Sequence, residues 1–370
     1  MKFEIDVKKL KGLLKAVGHA IPKSYSMPIL NCVALSVVGG KLTAITTNME
    51  LTIKHTADVI LGSDGECVVD YKLITTALKA VKEGIVAVDA SRVEGMRLAF
   101  GDSSMLLSVN LFADFPISVA EYVPVQIFTI DNLPRVLKTV IPFAQASAER
   151  PTLEDVKFKL IPGQRADIAA TNSYHLLLAK TSHNAPAPLE FHVSARYLKA
   201  VSGNMVIIAK KHVIFNDGMT QTICRLNDLP YPNLEKAIPQ ETSTQFTFNK
   251  QELLNLLSVA QAGIKAERLQ QEARGIRKPK GGYEDPYIRL YTDGEYLHVG
   301  NVGKIPCTVD GNPVNAGYSI EYLTAGLNQF NACDMITIRY NTHLSPCLIN
   351  SDDLLYVLTP VRLTPEERCE

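Results

Sequence analysis

Phe3-Glu4-Ile5-Asp6, Phe128-Thr129-Ile130-Asp131 and Phe246-Thr247-Phe248-Asn249 carry one pattern three times. Apolar and polar residues alternate as in a short strand, then an Asp or Asn precedes a run of helical periodicity. A second phrase follows inside each copy: Cys67-Val68-Val69-Asp70 before Leu73 and Leu78, Phe191-His192-Val193-Ser194 before Leu198, and Tyr318-Ser319-Ile320-Glu321 before Leu323 and Leu327. The strand-to-helix step is thus expected six times. Copies recur at about 120 residues, far above the period of solenoids and near the size of one domain. The pattern predicts three tandem domains at 1–123, 124–242 and 243–370.

Each copy shows the same local grammar. Asp6, Asp131 and Asn249 are N-cap types, Asn249 with Glu252 suits a capping box, and Pro134 falls in a first turn where proline is tolerated. Apolar residues then follow helical spacing: Val7, Leu10, Leu14 and Val17; Leu133, Val136, Leu137 and Val140; Leu253, Leu254 and Leu257. Between the helices, strand patterns flank Gly39-Gly40, Pro162-Gly163 and Asp293-Gly294, which are hairpin signals. The fold class is α+β, two helices packed on antiparallel sheet in each domain. Short connectors fall near Glu121 to Pro124 and Pro239 to Thr242. The stretch 265–285, with Arg274, Arg277, Lys278 and Lys280, reads as a charged insertion in the third domain.

Basic and acidic residues balance at 38 each, so total charge does not point to a polyanionic partner. Distribution does. The first helix carries Lys8, Lys9, Lys11 and Lys15, the second carries Lys72, Lys79 and Lys82 on one face, and the second copy offers Arg135, Lys138, Arg196 and Lys199. Any one of these is an ordinary solvated helix face, but repetition in four helices of six favours a surface that meets phosphates. The third copy departs, with Lys250 beside Glu252 and no basic residue in the helix after Glu321. Seven cysteines without C-x-x-C spacing suit free thiols in a reducing compartment, and no apolar run reaches the length of a membrane span. A soluble, cytoplasmic protein with no cofactor and no metal is expected. Catalytic motifs are missing from the sequence: it has no G-x-S-x-G, no H-E-x-x-H, no Walker loop and no dinucleotide fingerprint.

Met1-Lys2-Phe3, Met27-Pro28-Ile29-Leu30, Asp114-Phe115-Pro116, Tyr231-Pro232-Asn233 and the closing Leu355 to Leu363 together resemble the bacterial sliding clamp family, the β subunits of DNA polymerase III. The resemblance runs along nearly the whole chain. It implies a non-enzymatic processivity factor: two copies join head to tail, first domain to third, into a six-domain ring whose helices face duplex DNA without reading sequence. It also implies that DNA polymerase and clamp loader dock through a short peptide motif. A clamp-like protein scaffold that no longer tracks DNA is the alternative.

Carried onto this sequence, the resemblance gives three sets of residues. Lys8, Lys11, Lys15, Lys72, Lys79, Lys82, Arg135, Lys138, Arg196 and Lys199 are expected to line the DNA path, with Lys23, beside Ser24, extending it on a loop. Met105, Leu106 and Leu107, read as an apolar edge strand, and Ile264 are expected at the dimer interface. The peptide pocket is expected to take Arg150 and Leu153 from an R-x-x-L step, Thr171, Tyr174, His175 and Leu176 from the stretch matching T-D-G-H-R-L, Pro239, and Val357, Thr359, Pro360, Val361, Arg362 and Leu363. There His175 stands at the arginine position. The chain also continues past Leu363 through a tail, 364–370, that the family commonly lacks.

Overall fold

The computed structural model describes residues 1–24, 27–91, 93–116, 123–147, 149–273 and 286–363. All six strand-to-helix steps are present. Lys2–Asp6 leads into α1 (Val7–Val17), Gly65–Asp70 into α2 (Tyr71–Lys79), Pro124–Thr129 toward α3 (Leu133–Val140), Leu189–Ser194 into α4 (Ala195–Leu198), Thr244–Asn249 into α5 (Lys250–Ala273) and Asn315–Ser319 into α6 (Ile320–Leu327). The caps explain where most of these helices begin. Asp6 accepts from the backbone N–H of Lys8 and Lys9 at 2.8 and 3.0 Å, Asp70 from Leu73 at 2.8 Å, and Asn249 from Glu252 at 3.1 Å.

Asp131 is a correction. α3 starts two residues later than its expected cap, because Asn132 takes a left-handed φ of 52° and the N–H of Leu133 is held by Asn204 Oδ1 at 3.0 Å. A distant side chain does the capping, which local sequence cannot announce. α4 is only 4 residues long, and its N-cap Ser194 makes no side-chain bond. The charged stretch at 265–285 is in part helix, since α5 runs to Ala273, and 274–285 lie outside the described residues. The tail 364–370 also lies outside them.

A shared backbone bond marks the repeat more deeply than sequence does. Near the start of the first helix of each copy, an N–H reaches the loop that follows the second helix: Val7 to the Gly84 carbonyl at 2.9 Å, Ile130 to Asn204 at 2.9 Å and Lys250 to Asp334 at 2.8 Å.

The chain folds into two compact units, Met1–Lys138 with Phe158–Ala166 and Thr181–Asp228, and Thr139–Lys157 with Asp167–Lys180 and Leu229–Glu370. The first holds two sheets. A five-stranded one runs in the order Leu61–Ser63, Lys2–Asp6, Ile85–Ser91, Gly95–Phe100, Ser103–Leu107. A nine-stranded one runs Val109–Asn110, Gly65–Asp70, Cys32–Val38, Lys41–Thr47, Leu51–Asp58, Thr220–Arg225, His212–Asn216, Met205–Ala209, Pro124–Thr129. Gly39 and Gly40, at φ 56° and 78°, make the two-residue turn joining Val38 to Lys41, as the sequence predicts. Leu51–Asp58 pairs antiparallel with Thr220–Arg225, from Leu51 opposite Cys224 to His55 opposite Thr220. One sheet thereby spans residues that the sequence assigns to two domains.

In the second unit a comparable seam joins His175–Thr181 to Leu354–Leu358, with His175 opposite Leu358 and Leu176 opposite Val357. Leu354–Leu358 pairs on its other side with Cys347–Asn350, and Met335–Tyr340, Thr244–Asn249, Gly303–Asp310, Tyr296–Val299, Tyr287–Thr292 and Asn315–Ser319 continue the sheet. Tyr356 sits fully buried beneath this seam, with its ring edge-on to Phe143 at 5.8 Å. α6 lies on it at Gly326, where an added Cβ would be 2.1 Å from Cε1 of Tyr356. Gly326 is needed for this close approach, since no side chain fits. Gly326→Ala is expected to lower stability by about 1–3 kcal/mol, the range for overpacking a filled core, with the urea midpoint shifted and the slope unchanged.

Candidate nucleic-acid and peptide interfaces

α1 and α2 run antiparallel. The Tyr71 hydroxyl at the start of α2 donates to the Leu14 carbonyl near the end of α1 at 3.1 Å, while Lys11 Nζ donates to the Val81 carbonyl just past α2. Gly18 permits this, since a Cβ there would meet the Tyr71 hydroxyl oxygen at 2.2 Å. The apolar faces, Val7, Leu10, Leu13, Leu14 and Val17 with Ile74 and Leu78, are buried. That leaves Lys8, Lys15, Lys72, Lys79 and Lys82 exposed together, with Lys11 half-buried between them.

Glu83 lies against this face, its Oε2 3.6 Å from Lys8 Nζ. Both side chains are over 70% exposed, so the pair is screened and leaves Lys8 free to exchange partners. Lys11 is committed to the helix end, where a cation also suits the negative pole of the dipole. Arg135, Lys138, Arg196 and Lys199 are exposed on or beside α3 and α4, with Arg196 over the Tyr197 ring at 5.6 Å. Lys23 is exposed in the loop after α1. The structure thus brings the basic side chains of the first helix pair into one surface. Among the described residues of the third copy, Lys250 Nζ instead donates to the Phe330 carbonyl at 2.8 Å, and α6 carries Glu321 and no basic residue.

In the second unit, a cleft of about 550 Å³ is lined by Thr171, Ser173, Tyr174, His175, Leu176, Lys236, Ala237, Pro239, Gln240, Glu241, Asn341, Ser345, Pro346, Val357 and Thr359. Of the expected pocket residues, Thr171, Tyr174, His175, Leu176, Pro239, Val357 and Thr359 meet there. Asn172 shapes the turn that presents them, its Oδ1 accepting from the N–H of Tyr174 at 3.0 Å and of His175 at 3.1 Å. Ser173 takes φ 80° at the tip, and Arg150 Nη1 donates to its hydroxyl at 3.0 Å, which puts Arg150 at the rim. Leu153 is buried.

Thr359 donates from both its N–H, at 2.9 Å, and its hydroxyl, at 2.8 Å, to the Tyr174 carbonyl. Past Pro360 the segment turns to another neighbour. Val361 bonds to the Gly317 carbonyl at 2.8 Å and Leu363 packs over Gly317, while Arg362 is exposed. Sequence reasoning did not name Ser173, Lys236, Ala237, Gln240, Glu241, Asn341, Ser345 or Pro346. Ser173 belongs to the turn before His175; the others come from the short 3-10 helix Leu234–Ala237 and the stretch after it to Glu241, and from the loop at Asn341 to Pro346, and Pro239 is the one signal pointing toward them.

His175 is the unusual member. It is buried, packs against Phe143 at 4.9 Å and Tyr322 at 4.3 Å, and its Nδ1 lies 3.1 Å from the Tyr356 hydroxyl. Burial lowers its pKa to about 4. Of the expected interface residues, Ser103–Leu107 forms the last strand of the five-stranded sheet, with Leu106 62% exposed, and Ile264 is half-buried on α5. Among the described residues no group of His, Cys, Asp and Glu is placed to hold a metal ion, and no helix is long and apolar enough to cross a membrane.

Residues 1–119 match the family described as DNA polymerase III beta subunit, N-terminal domain. The beta sliding clamp of Synechococcus elongatus is 23% identical over 98% of this chain and 100% of its own length, and that of Streptococcus pneumoniae serotype 4 is 22% identical over 97% and 99%. The crystal structure of the DNA polymerase sliding clamp from Bacillus subtilis superposes with a TM-score of 0.84, at 18% identity over 98% of this chain and 100% of that one. The chain is similar to the bacterial beta sliding clamps from end to end and shares the fold of their solved structures. The α+β reading and the resemblance along the full length both hold.

The burial of His175 has a pH signature. As pH falls through about 6.5 the unfolded chain takes up a proton on this imidazole, while the folded chain stays neutral until about pH 4. The unfolded state binds more protons in that window, so stability falls with pH there, by about 3 kcal/mol in all from this group. Urea titrations at pH 7 and pH 4.5 should show the loss, and it should shrink in His175→Gln.

Proposed function

We propose that the chain is a DNA sliding clamp, a non-catalytic processivity factor that encloses duplex DNA and tethers a polymerase. The observation that carries this is the antiparallel α1 and α2 pair, on and just beyond which Lys8, Lys15, Lys72, Lys79 and Lys82 lie exposed together, with Glu83 paired to Lys8 at 3.6 Å. Lysines on rigid helices neutralise phosphates without reading bases, which suits a protein that must slide. The relatives named beta sliding clamp, matched from end to end, support the same reading. In it the chain comprises three domains, 1–123, 124–242 and 243–370, a division supported by the backbone bond that each copy repeats.

Two copies close head to tail, with the edge strand Ser103–Leu107 and its exposed Leu106 meeting the α5 face around Ile264 of the other copy. A heterologous contact of this kind forms a ring if its rotation closes. Polymerase and clamp loader dock a short apolar peptide in the 550 Å³ cleft, and the protein works in the cytoplasm.

Two measurements test this. Loaded onto nicked circular DNA, the protein is expected to stay bound through high-salt washing and to fall off once the circle is cut; equal loss from circular and linear DNA would leave only the scaffold reading. Replacing Lys8, Lys15, Lys72 and Lys79 by Ala should weaken binding alike on all sequences. It should also flatten the salt dependence, by about 0.9 in the log–log slope for each phosphate contact removed.

A further inference from the structure

In the first and third copies the opening strand lies between two neighbours. Lys2–Asp6 is flanked by Ile85–Ser91 and Leu61–Ser63, and Thr244–Asn249 by Met335–Tyr340 and Gly303–Asp310. The second copy differs. Pro124–Thr129 pairs with Met205–Ala209 and ends the nine-stranded sheet. On its other side the chain after His175–Thr181 makes an isolated bridge, Ile130 to His183. Asn184 then takes both backbone groups of Thr129, its Oδ1 accepting from the N–H at 2.6 Å and its N–H donating to the carbonyl at 3.2 Å. Beyond it come Ala185-Pro186-Ala187-Pro188, whose prolines have no N–H with which to continue a ladder. Ile127, two residues before Thr129, turns its N–H and carbonyl the same way, and among the described residues nothing takes them.

The side chains along this edge lose their cover as well. Ile127, Ile207, Ile214 and Ile223 stand opposite one another across neighbouring strands, on the face away from the buried Phe128 and Phe215. Ile223 and Ile214 are buried and Ile207 is half-buried, but Ile127 is 55% exposed, with Val125 at 66% on the same strand and Met205 exposed on the next. Native edges are commonly guarded by lysine, proline or a bulge. Pro124 and the irregular register beside it blunt the start of this one, and Ile127 has no such guard. Lys210 and Lys211 are exposed at the turn after Ala209, which stands opposite Pro124, and neither side chain has a partner among the described residues. Arg225, on the strand beyond, is matched by Glu50 at 3.1 Å, so the two lysines are the unbalanced charge.

From this we infer that the free edge of Pro124–Thr129 docks an extended segment of a partner protein, one that alternates apolar and polar residues, ends in acidic ones and adds an antiparallel strand to the sheet. Its backbone takes the N–H and carbonyl of Ile127, and its apolar side chains cover Ile127 and Ile207. Running antiparallel, it brings its acidic C-terminal end to Lys210 and Lys211, which select for that charge. The edge is separate from the cleft: its residues belong to the first compact unit and those of the cleft to the second.

The test is calorimetric titration of the intact protein with a capped peptide of alternating Val and Thr followed by three Asp. A second version carries Lys in place of Asp, and a third has proline at every second position. The acidic peptide should bind about tenfold tighter than the basic one at low salt, an advantage that shrinks as salt rises, and the proline version should not bind. Hydrogen exchange on the native protein, which needs no variant to fold, should show the Ile127 amide protected when the acidic peptide is added. Ile127→Lys, a change at an exposed site, should abolish the binding, and Lys210→Glu together with Lys211→Glu should reverse the charge preference. An acidic peptide that fails to bind, leaves Ile127 exchange unchanged or binds Ile127→Lys equally well would overturn the inference. So would sedimentation in which the protein alone forms a larger assembly that Ile127→Lys removes, since the edge would then belong to a second copy. None of these measurements involves DNA, so their outcome is separate from that of the clamp reading.

Discussion

A sheet edge must be paired, covered or blunted, because unpaired backbone donors and acceptors recruit other chains. This protein pairs two such edges by joining strands far apart in sequence: Leu51–Asp58 to Thr220–Arg225, and His175–Thr181 to Leu354–Leu358. Nearly everything else hangs on those ladders. They convert a linear repeat into two compact units whose boundaries cross the repeat, so that neither unit is one copy of the sequence pattern.

The second ladder also builds the cleft. Its register sets His175 opposite Leu358 and Leu176 opposite Val357, which places alternate side chains of both strands on one face, with Thr359 continuing onto the Tyr174 carbonyl. Slipping the register by one residue would turn those side chains to the other face. Tyr356, one residue before Val357, points the opposite way into the core, and its hydroxyl links the cleft-lining His175 to the carbonyl of Tyr322 on α6. Core and binding surface are therefore two sides of one strand.

Much of this was legible in the sequence where the signal was local. The six strand-to-helix steps, the caps at Asp6, Asp70 and Asn249, and the Gly39-Gly40 turn each depend on residues within a few positions of one another. What stayed hidden depends on distant partners. Asn204 caps α3 from 71 positions away, so Asp131 was the natural but mistaken choice. The basic faces could be read from helical spacing, but Lys11's commitment to Val81 could not, since it needs the antiparallel packing of α1 on α2. For the cleft, the resemblance supplied the strand residues and missed the loop at Asn341 to Pro346, which has no pattern to read. That His175 is buried and neutral follows only from Phe143, Tyr322 and Tyr356, on three separate segments.

The seam at Leu354–Leu358 also sets the order in which the nascent protein can be completed. A chain leaving the ribosome has every strand of the first unit by residue 228, and that unit can close on itself while synthesis continues. His175–Thr181 has emerged by then as well, but its partner is translated near the far end of the chain. Until it arrives, Leu176, Leu178 and Phe143 lack the cover that Tyr356 and Val357 give them. The strand that completes the docking cleft is thus also the one whose late arrival leaves the growing chain most open to chaperones, or to the wrong neighbour.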